Sequence, residues 1–340
     1  MNNKQGLRIY TCAVCGNSEA NQTYTVREMQ YGTRDEFEYF ECSNCGCLQI
    51  VDFPSDISKY YPTSYYSYAV RRPSLEYPQA PIPALRVKLL NEILSRHYFG
   101  KRSALGSWVA QRSSLVGDYP LWVRRKNLNL GLRSNSPILD VGAGAGKLLL
   151  DLNVLGFKNL TGVDPFIEKD IYYPNGVKVL KKELKEMDQE FDLVMFNHSF
   201  EHMPDPLVTL RKAYELVKPG RFLIIRIPIA GSYAWRKYGV NWVALDAPRH
   251  FYLHTPKSMQ LLASAVGFDL AEIVFDSDGL GHWGSELYKR EIALTDERSY
   301  WVNPKQNIFT AKEIAEFIEL DEELNRTGEA DCAAFCLYKP

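Results

Sequence analysis

From Pro137 onward, apolar residues gather in short continuous runs separated by longer stretches with helical spacing. PILDVGAG, NLTGVDP, VKVLKK, FDLVMFNHS and RFLIIRIPI have the length and density of strands buried on both faces. Between and after them, KLLLDLNVLGF, PLVTLRKAYELVKPG and PKSMQLLASAVGF place apolar residues three and four apart, as a helix with one buried face does. FDLAEIVFDS reads as another strand, AKEIAEFIELDEELNRTG as a helix and CAAFCLYK as a closing strand. Strands alternating with helices predict an α/β fold, a mostly parallel sheet covered on both faces.

The first part of the chain follows other rules. Residues 1–55 contain short alternating runs such as FEYFEC that predict the strands of a small ribbon. Residues 56–83 are rich in tyrosine and proline and predict an extended connector. Residues 84–130 predict helix, and residues 131–340 carry the α/β pattern. There is no internal repeat and no low-complexity segment.

Charge narrows the choice of partners. Forty Lys and Arg balance 41 Asp and Glu, so no global basic field exists for nucleic acid. Only Arg71-Arg72 and Arg124-Arg125-Lys126 form local basic spots. No apolar run reaches 18 residues, so no membrane span is expected. The opening MNNKQGLRIYTC lacks the apolar segment of a secretory signal, which predicts a cytoplasmic protein.

In a reducing compartment, clustered cysteines point to metal rather than disulfides. CAVCG (12–16) and CSNCG (42–46) are two Cys-x2-Cys-Gly knuckles separated by 26 residues, longer than the usual 15–20 but within reach of a long hairpin. Cys12, Cys15, Cys42 and Cys45 are therefore expected to hold a structural Zn2+ through four thiolates. Cys47, Cys332 and Cys336 are expected to be small buried apolar residues. His198-Ser199-Phe200-Glu201-His202 spells a second zinc signature, H-x-x-E-H. That signature needs a helix, whereas this segment follows a strand and precedes Pro204 and Pro206; it predicts a loop leading into PLVTLRKAYEL.

The turn ILDVGAGAG decides the cofactor. A P-loop needs Gly-x4-Gly-Lys-Ser/Thr, and Leu148 is neither Ser nor Thr; a G-x-G-x-x-G fingerprint would need glycine at Lys147. What remains is an acidic residue followed by G-x-G-x-G. Over roughly residues 120–340 the chain thus resembles the class I S-adenosylmethionine (SAM)-dependent methyltransferases, with a Rossmann-like sheet. The resemblance implies that Asp140, Gly142, Ala143, Gly144 and Gly146 border the cofactor. It implies that Asp164, with Pro165 beside it, accepts the ribose hydroxyls, and that Asn197 lies near the methionine part. It also implies an antiparallel last strand.

Methyl transfer to a hydroxyl or a carbon acid uses a base with a pKa near neutrality, which suits histidine. Of six histidines, His198, His202 and His250 fall in or just after strand-end segments; with Glu201 they are the candidate catalytic residues. His250 and His254 could instead anchor the long insertion that follows RFLIIRIPI, and His202 could cap a helix. A further resemblance is to bacterial sugar C-methyltransferases, which join a four-cysteine zinc module to a SAM domain and bring tyrosines between them to the active site. Tyr60, Tyr61, Tyr65, Tyr66 and Tyr68 occupy that position here. Those enzymes have a further C-terminal domain, whereas CAAFCLYKP is expected to be the last strand here. The resemblance implies methyl transfer to a small polar acceptor, a sugar or nucleotide sugar of surface-polysaccharide or secondary metabolism. The alternative is an RNA methyltransferase that uses its zinc ribbon to hold RNA. Acceptor atom and oligomeric state stay open.

Overall fold

The computed structural model describes residues 9–62 and 130–340, with Ile93, Leu105 and Trp108 between them. The rest of the helix predicted over 84–130, and Tyr65, Tyr66 and Tyr68, lie outside the described residues. Two sheets organise the rest. The larger has eight strands: β4 (Ile138–Val141), β5 (Leu160–Val163), β6 (Ile171–Tyr172), β7 (Lys178–Leu180), β8 (Phe191–Asn197), β9 (Val217–Pro228), β11 (Asp269–Phe275) and β12 (Cys332–Lys339). Their spatial order is β11-β12-β9-β8-β4-β5-β7-β6. β4 lies parallel to β5 and β8, and β8 lies parallel to β9. β12 inserts antiparallel between β9 and β11, as expected of the last strand.

Strand β8 shows why the sheet has two cores. From Leu193 onward its side chains alternate, so Leu193 and Met195 enter one layer while Val194 and Phe196 enter the other. Helix α1 (Lys147–Val154) covers the first layer through Leu149 and Leu152. Helices α2 (Pro206–Leu216) and α4 (Pro256–Val266) cover the second through Leu210, Ala213, Met259 and Leu262. Helix α2 starts at Pro206 behind an Asp205 cap, whose side chain accepts from the Val208 N–H. It ends at Leu216, not within VKPG: β9 begins at Val217, because Pro219 cannot continue a helix. The insertion after β9 folds into helix α3 (Tyr233–Tyr238) and two short 3-10 turns. Helix α5 (Leu280–Lys289) was not apparent in the apolar pattern, since its buried face carries Gly281, His282, Gly284 and Ser285. Helix α6 (Ala311–Thr327) precedes β12.

The smaller sheet is built from β1 (Gln22–Arg27), β2 (Glu36–Glu41) and β3 (Leu48–Ile50). Its fourth strand comes from far along the chain: β10 (Tyr252-Leu253) pairs antiparallel with β3. The N-terminal ribbon is thereby tied into the insertion after β9. Tyr39, Leu48, Trp235, Tyr238, Trp242 and Leu253 bury a shared apolar core. Across that junction Arg249, fully buried, pairs with the buried Glu28 at 2.9 Å and with Asp246 at 2.5 Å. Its Nη1 donates to the Tyr60 carbonyl. Among the described residues, no helix is long and apolar enough to cross a membrane.

Candidate active site and cysteine centre

The C-terminal ends of β4, β5 and β8 open a crevice, which is where parallel α/β sheets take their ligands. At the end of β4 the chain turns through Gly142, Gly144 and Gly146, all with positive φ. A Cβ on Gly142 would lie 2.5 Å from the Ser199 Cβ, and one on Gly146 would lie 2.7 Å from Val179. Glycine is required at both by conformation and by space. The turn is pinned by bonds from the Gly142 N–H to the Val163 carbonyl and from the Tyr173 hydroxyl to the Ala145 carbonyl. Ala143 and Gly144 form its tip, and α1 starts behind Gly146.

Two buried carboxylates flank this turn. Asp164 accepts from the Gly144 and Phe166 N–H groups at 2.9 Å each, so both oxygens are oriented and each keeps a second lone pair. Burial raises its pKa. Asp140 has an Oδ1 with no partner, and burial, with the Asp164 charge adding to it, lifts its carboxyl to about 8. A ligand with cationic groups would complement this orphan oxygen. SAM, with its ammonium and sulfonium, fits the donors and acceptors of the turn.

The loop after β8 supplies the other wall. Asn197 is the last residue of β8, and His198 follows with φ 53°. The Ser199 hydroxyl donates to the Val141 carbonyl at 2.6 Å, binding the loop to the end of β4. Glu201 and His202 do not open or cap α2; they lie in a separate 3-10 turn, Phe200–His202. Glu201 is fully buried, and neither of its oxygens has a hydrogen-bond partner. His198 Nδ1 approaches it at 3.6 Å and His250 Nε2 at 3.8 Å. Burial pushes the Glu201 carboxyl up, but His198, His202 and His250 outweigh it and hold the pKa down to about 2.

The three histidines differ in what their nitrogens can do. His198 Nε2 meets the Arg226 guanidinium, itself paired with Asp276 at 2.6 Å, so this ring is occupied on both sides. His202 Nδ1 donates to the Arg249 carbonyl at 2.7 Å, and His250 Nδ1 donates to the Ala244 carbonyl at 2.8 Å. A carbonyl only accepts, so each ring carries a proton on Nδ1 and turns Nε2 away from that partner. Burial lowers the His202 pKa, which keeps that ring neutral near pH 7. His254 is buried away from the crevice: Nδ1 lies 3.2 Å from the Ser258 hydroxyl and 3.8 Å from the Cys47 thiol.

Of the connector tyrosines, Tyr60 donates to Asp35, while Tyr61 reaches the crevice. Its hydroxyl lies 3.3 Å from His202 Nδ1, and its ring stacks on Phe166 at 6.4 Å. Sequence patterns gave no reason to choose Phe166, Arg226, Asp246 or Arg249. The exposed Phe166 in GVDPF, next to the predicted ribose carboxylate, was the one available signal.

At the ribbon end, Cys12, Cys15, Cys42 and Cys45 bring their thiols within 4.8 Å of one another, and all are free. The knuckles close through bonds from the Gly16 N–H to the Cys12 carbonyl and from the Gly46 N–H to the Cys42 carbonyl. Both glycines have positive φ. Cys47 is fully buried outside the tetrad, as is Cys336 in β12. The tetrad is coupled to the crevice loop: the Thr255 hydroxyl donates to the Cys45 carbonyl at 2.6 Å, and the Tyr39 hydroxyl donates to the His250 carbonyl at 2.8 Å.

A glycine turn flanked by an orphan carboxylate and a second oriented one, at the open end of a sheet ordered this way, has the acceptors that a nucleotide cofactor would use. Residues 118–273 match the family model described as a methyltransferase domain, and the chain carries a class I SAM-dependent methyltransferase domain. It is similar to a ubiquinone biosynthesis O-methyltransferase of Azorhizobium caulinodans, 28% identical over 158 residues, 41% of this chain and 62% of that one. A protein of the same name from Bordetella parapertussis is 31% identical over 153 residues, 40% and 62% of the two chains. The chain thus spans less than two thirds of the length of these relatives. Among solved structures, a SAM-dependent methyltransferase from Archaeoglobus fulgidus is 22% identical with a TM-score of 0.40, covering 69% of this chain and 99% of that one.

Proposed function

We propose that the whole chain is an O-methyltransferase for a small hydroxylated acceptor, with its N-terminal cysteines holding Zn2+. The observation that carries the acceptor assignment is the cluster of Glu201, His202 and His250, gathered at the loop that Ser199 binds to the end of β4. Such a cluster suits an acceptor that must lose a proton, as a hydroxyl does. The relatives named as O-methyltransferases support oxygen as the acceptor atom. A sugar or nucleotide sugar remains the proposed substrate class, and near-zero net charge weighs against RNA.

SAM bound here supplies a methyl carbon activated by the adjoining sulfonium. The residues of the chain do the rest. Asp164 takes the ribose hydroxyls, Phe166 offers a ring face to the adenine, and Asp140 places negative charge by the methionine moiety. Asn197 borders the methionine part from the end of β8. His202 draws the proton from the acceptor oxygen at Nε2, Glu201 and His250 stabilise the imidazolium that forms, and His198, held by Arg226, orients Glu201. Tyr61 lines the acceptor side.

Assaying the full chain with SAM against nucleotide sugars and phenols should give methylated product on oxygen for one class. In Glu201→Gln and His202→Ala, turnover should fall by at least 100-fold with SAM affinity unchanged. Full turnover in both variants would remove the cluster from the reaction.

The orphan Asp140 yields a pH prediction. Its carboxyl, lifted to about 8, is protonated in the free site at pH 7. A cationic ligand favours the charged form, so binding SAM should expel a proton, and affinity should rise with pH up to about 8. For stability the sign is opposite. A raised carboxyl pKa stabilises the fold at low pH, and this contribution is lost as pH rises from the unfolded value of 3.8 to about 8. Titration calorimetry at pH 7 in buffers of different ionisation enthalpy should detect the released proton. Its persistence in Asp140→Asn would refute the assignment.

A further inference from the structure

The Glu201 cluster has a surplus of lone pairs that protein donors do not meet. Glu201 is fully buried, and neither oxygen has a hydrogen bond of ordinary length; His198 Nδ1 stands 3.6 Å from Oε1. His250 Nε2 lies 3.8 Å from Glu201 Oε1 and 3.6 Å from Asp246 Oδ2. With Nδ1 held by the Ala244 carbonyl, Nε2 is the ring nitrogen turned toward the two carboxylates. The local charge has the same sign. Glu28, Asp246 and Glu201 are three carboxylates in the buried wall, and Arg249 is the one guanidinium paired among them. Arg226 is committed to Asp276 and to His198. Such an arrangement calls for a cation.

We propose that Glu201, His202 and His250 form a second metal site, which takes a divalent first-row transition cation. Their ligand atoms lie within 4.8 Å of one another. Two ligands each about 2.1 Å from a metal sit at most about 4.2 Å apart, so small side-chain rotations close the triangle. Both imidazoles are oriented as metal ligands usually are, with Nδ1–H on a backbone carbonyl and Nε2 left to coordinate. Two imidazoles and one carboxylate suit Zn2+, Fe2+ or Co2+, whereas Mg2+ and Ca2+ favour oxygen alone. Three protein ligands leave coordination positions open to a water or an acceptor oxygen. The ligand set is not the H-x-x-E-H of the local sequence: His198 faces Arg226 instead, and its place is taken by His250 from the distant insertion. The site rests on these residues; only its use in catalysis rests on the methyl-transfer reading.

Cobalt distinguishes the two metal centres in the full-length protein. Chelator-stripped chain reloaded with Co2+ should bind two ions. The ion in the cysteine tetrad should show intense thiolate-to-metal charge transfer, and the second should show only weak ligand-field bands of a nitrogen and oxygen site. Glu201→Gln, nearly isosteric, and His250→Ala should each lose the second ion while keeping the thiolate bands and SAM affinity. Cys12→Ser/Cys42→Ser should lose the thiolate bands and, because Tyr39 of the ribbon holds the His250 carbonyl, should weaken the second ion without abolishing its ligand-field bands. No ion outside the thiolate site in the wild-type chain overturns the proposal, as does a second ion that persists undiminished in Glu201→Gln. SAM affinity, read in parallel by calorimetry, shows whether the methyl-transfer reading stands independently.

Discussion

Asp164→Ala should abolish SAM binding, with affinity falling at least 100-fold while the protein stays folded. A carboxylate holding two ribose hydroxyls contributes two charge-assisted hydrogen bonds, each worth about 1.5–3 kcal/mol. Losing both costs about 3–6 kcal/mol, or two to four powers of ten in affinity. The side chain also fixes the Gly144 and Phe166 N–H groups, so the alanine variant loosens the turn that faces the cofactor. Asp164→Asn separates these effects: it keeps the shape and one acceptor oxygen, and its affinity should fall between the other two. Calorimetric titration with SAM checks all three proteins, and an unchanged dissociation constant in Asp164→Ala would end the cofactor assignment.

The second large effect is expected from the cysteine tetrad. Structural zinc in small cysteine sites contributes about 10–16 kcal/mol of apparent folding free energy, so the ribbon should not survive its loss. In most two-module proteins the damage would stop there. Here β10 belongs to the ribbon sheet, Thr255 is bonded to Cys45 and Tyr39 is bonded to His250, so disorder should spread to the crevice wall. Cys42→Ser should therefore remove the zinc, expose the ribbon amides to hydrogen exchange, and lose methyl transfer. SAM affinity should fall far less, because the Asp140 and Asp164 turn rests on the other sheet. Metal analysis with exchange mass spectrometry reads each part. Retention of one zinc per chain in Cys12→Ser/Cys42→Ser would refute the tetrad as its site.

Much of this was legible in the chain because the signals are local. ILDVGAGAG marks a strand, a turn that only glycine can make and a helix start within nine residues. Both Cys-x2-Cys-Gly knuckles are likewise complete in five residues, since a tight turn alone sets the spacing of two thiols. The prolines after His202 were sufficient to exclude a helical H-x-x-E-H site. Strands β4, β8 and β9 announced themselves by continuous apolar runs, as strands buried on both faces must.

Where a group's role depends on a partner far along the chain, only the tertiary structure decided it. No spacing rule joins Glu28 to Arg249 across 221 positions, or β3 to β10. Nothing in NHSFEH distinguishes His198, closed off by Arg226, from His202, whose proton is set by the Arg249 carbonyl. The tyrosine-rich stretch offered several candidates, and packing brought Tyr61 to His202. Sequence by itself determined the methyl-transfer class, the glycine turn and the paired cysteines, because short-range signals carry them. The tertiary structure decided which acceptor groups converge on Glu201, because burial and charge there come from three segments that meet only in the fold.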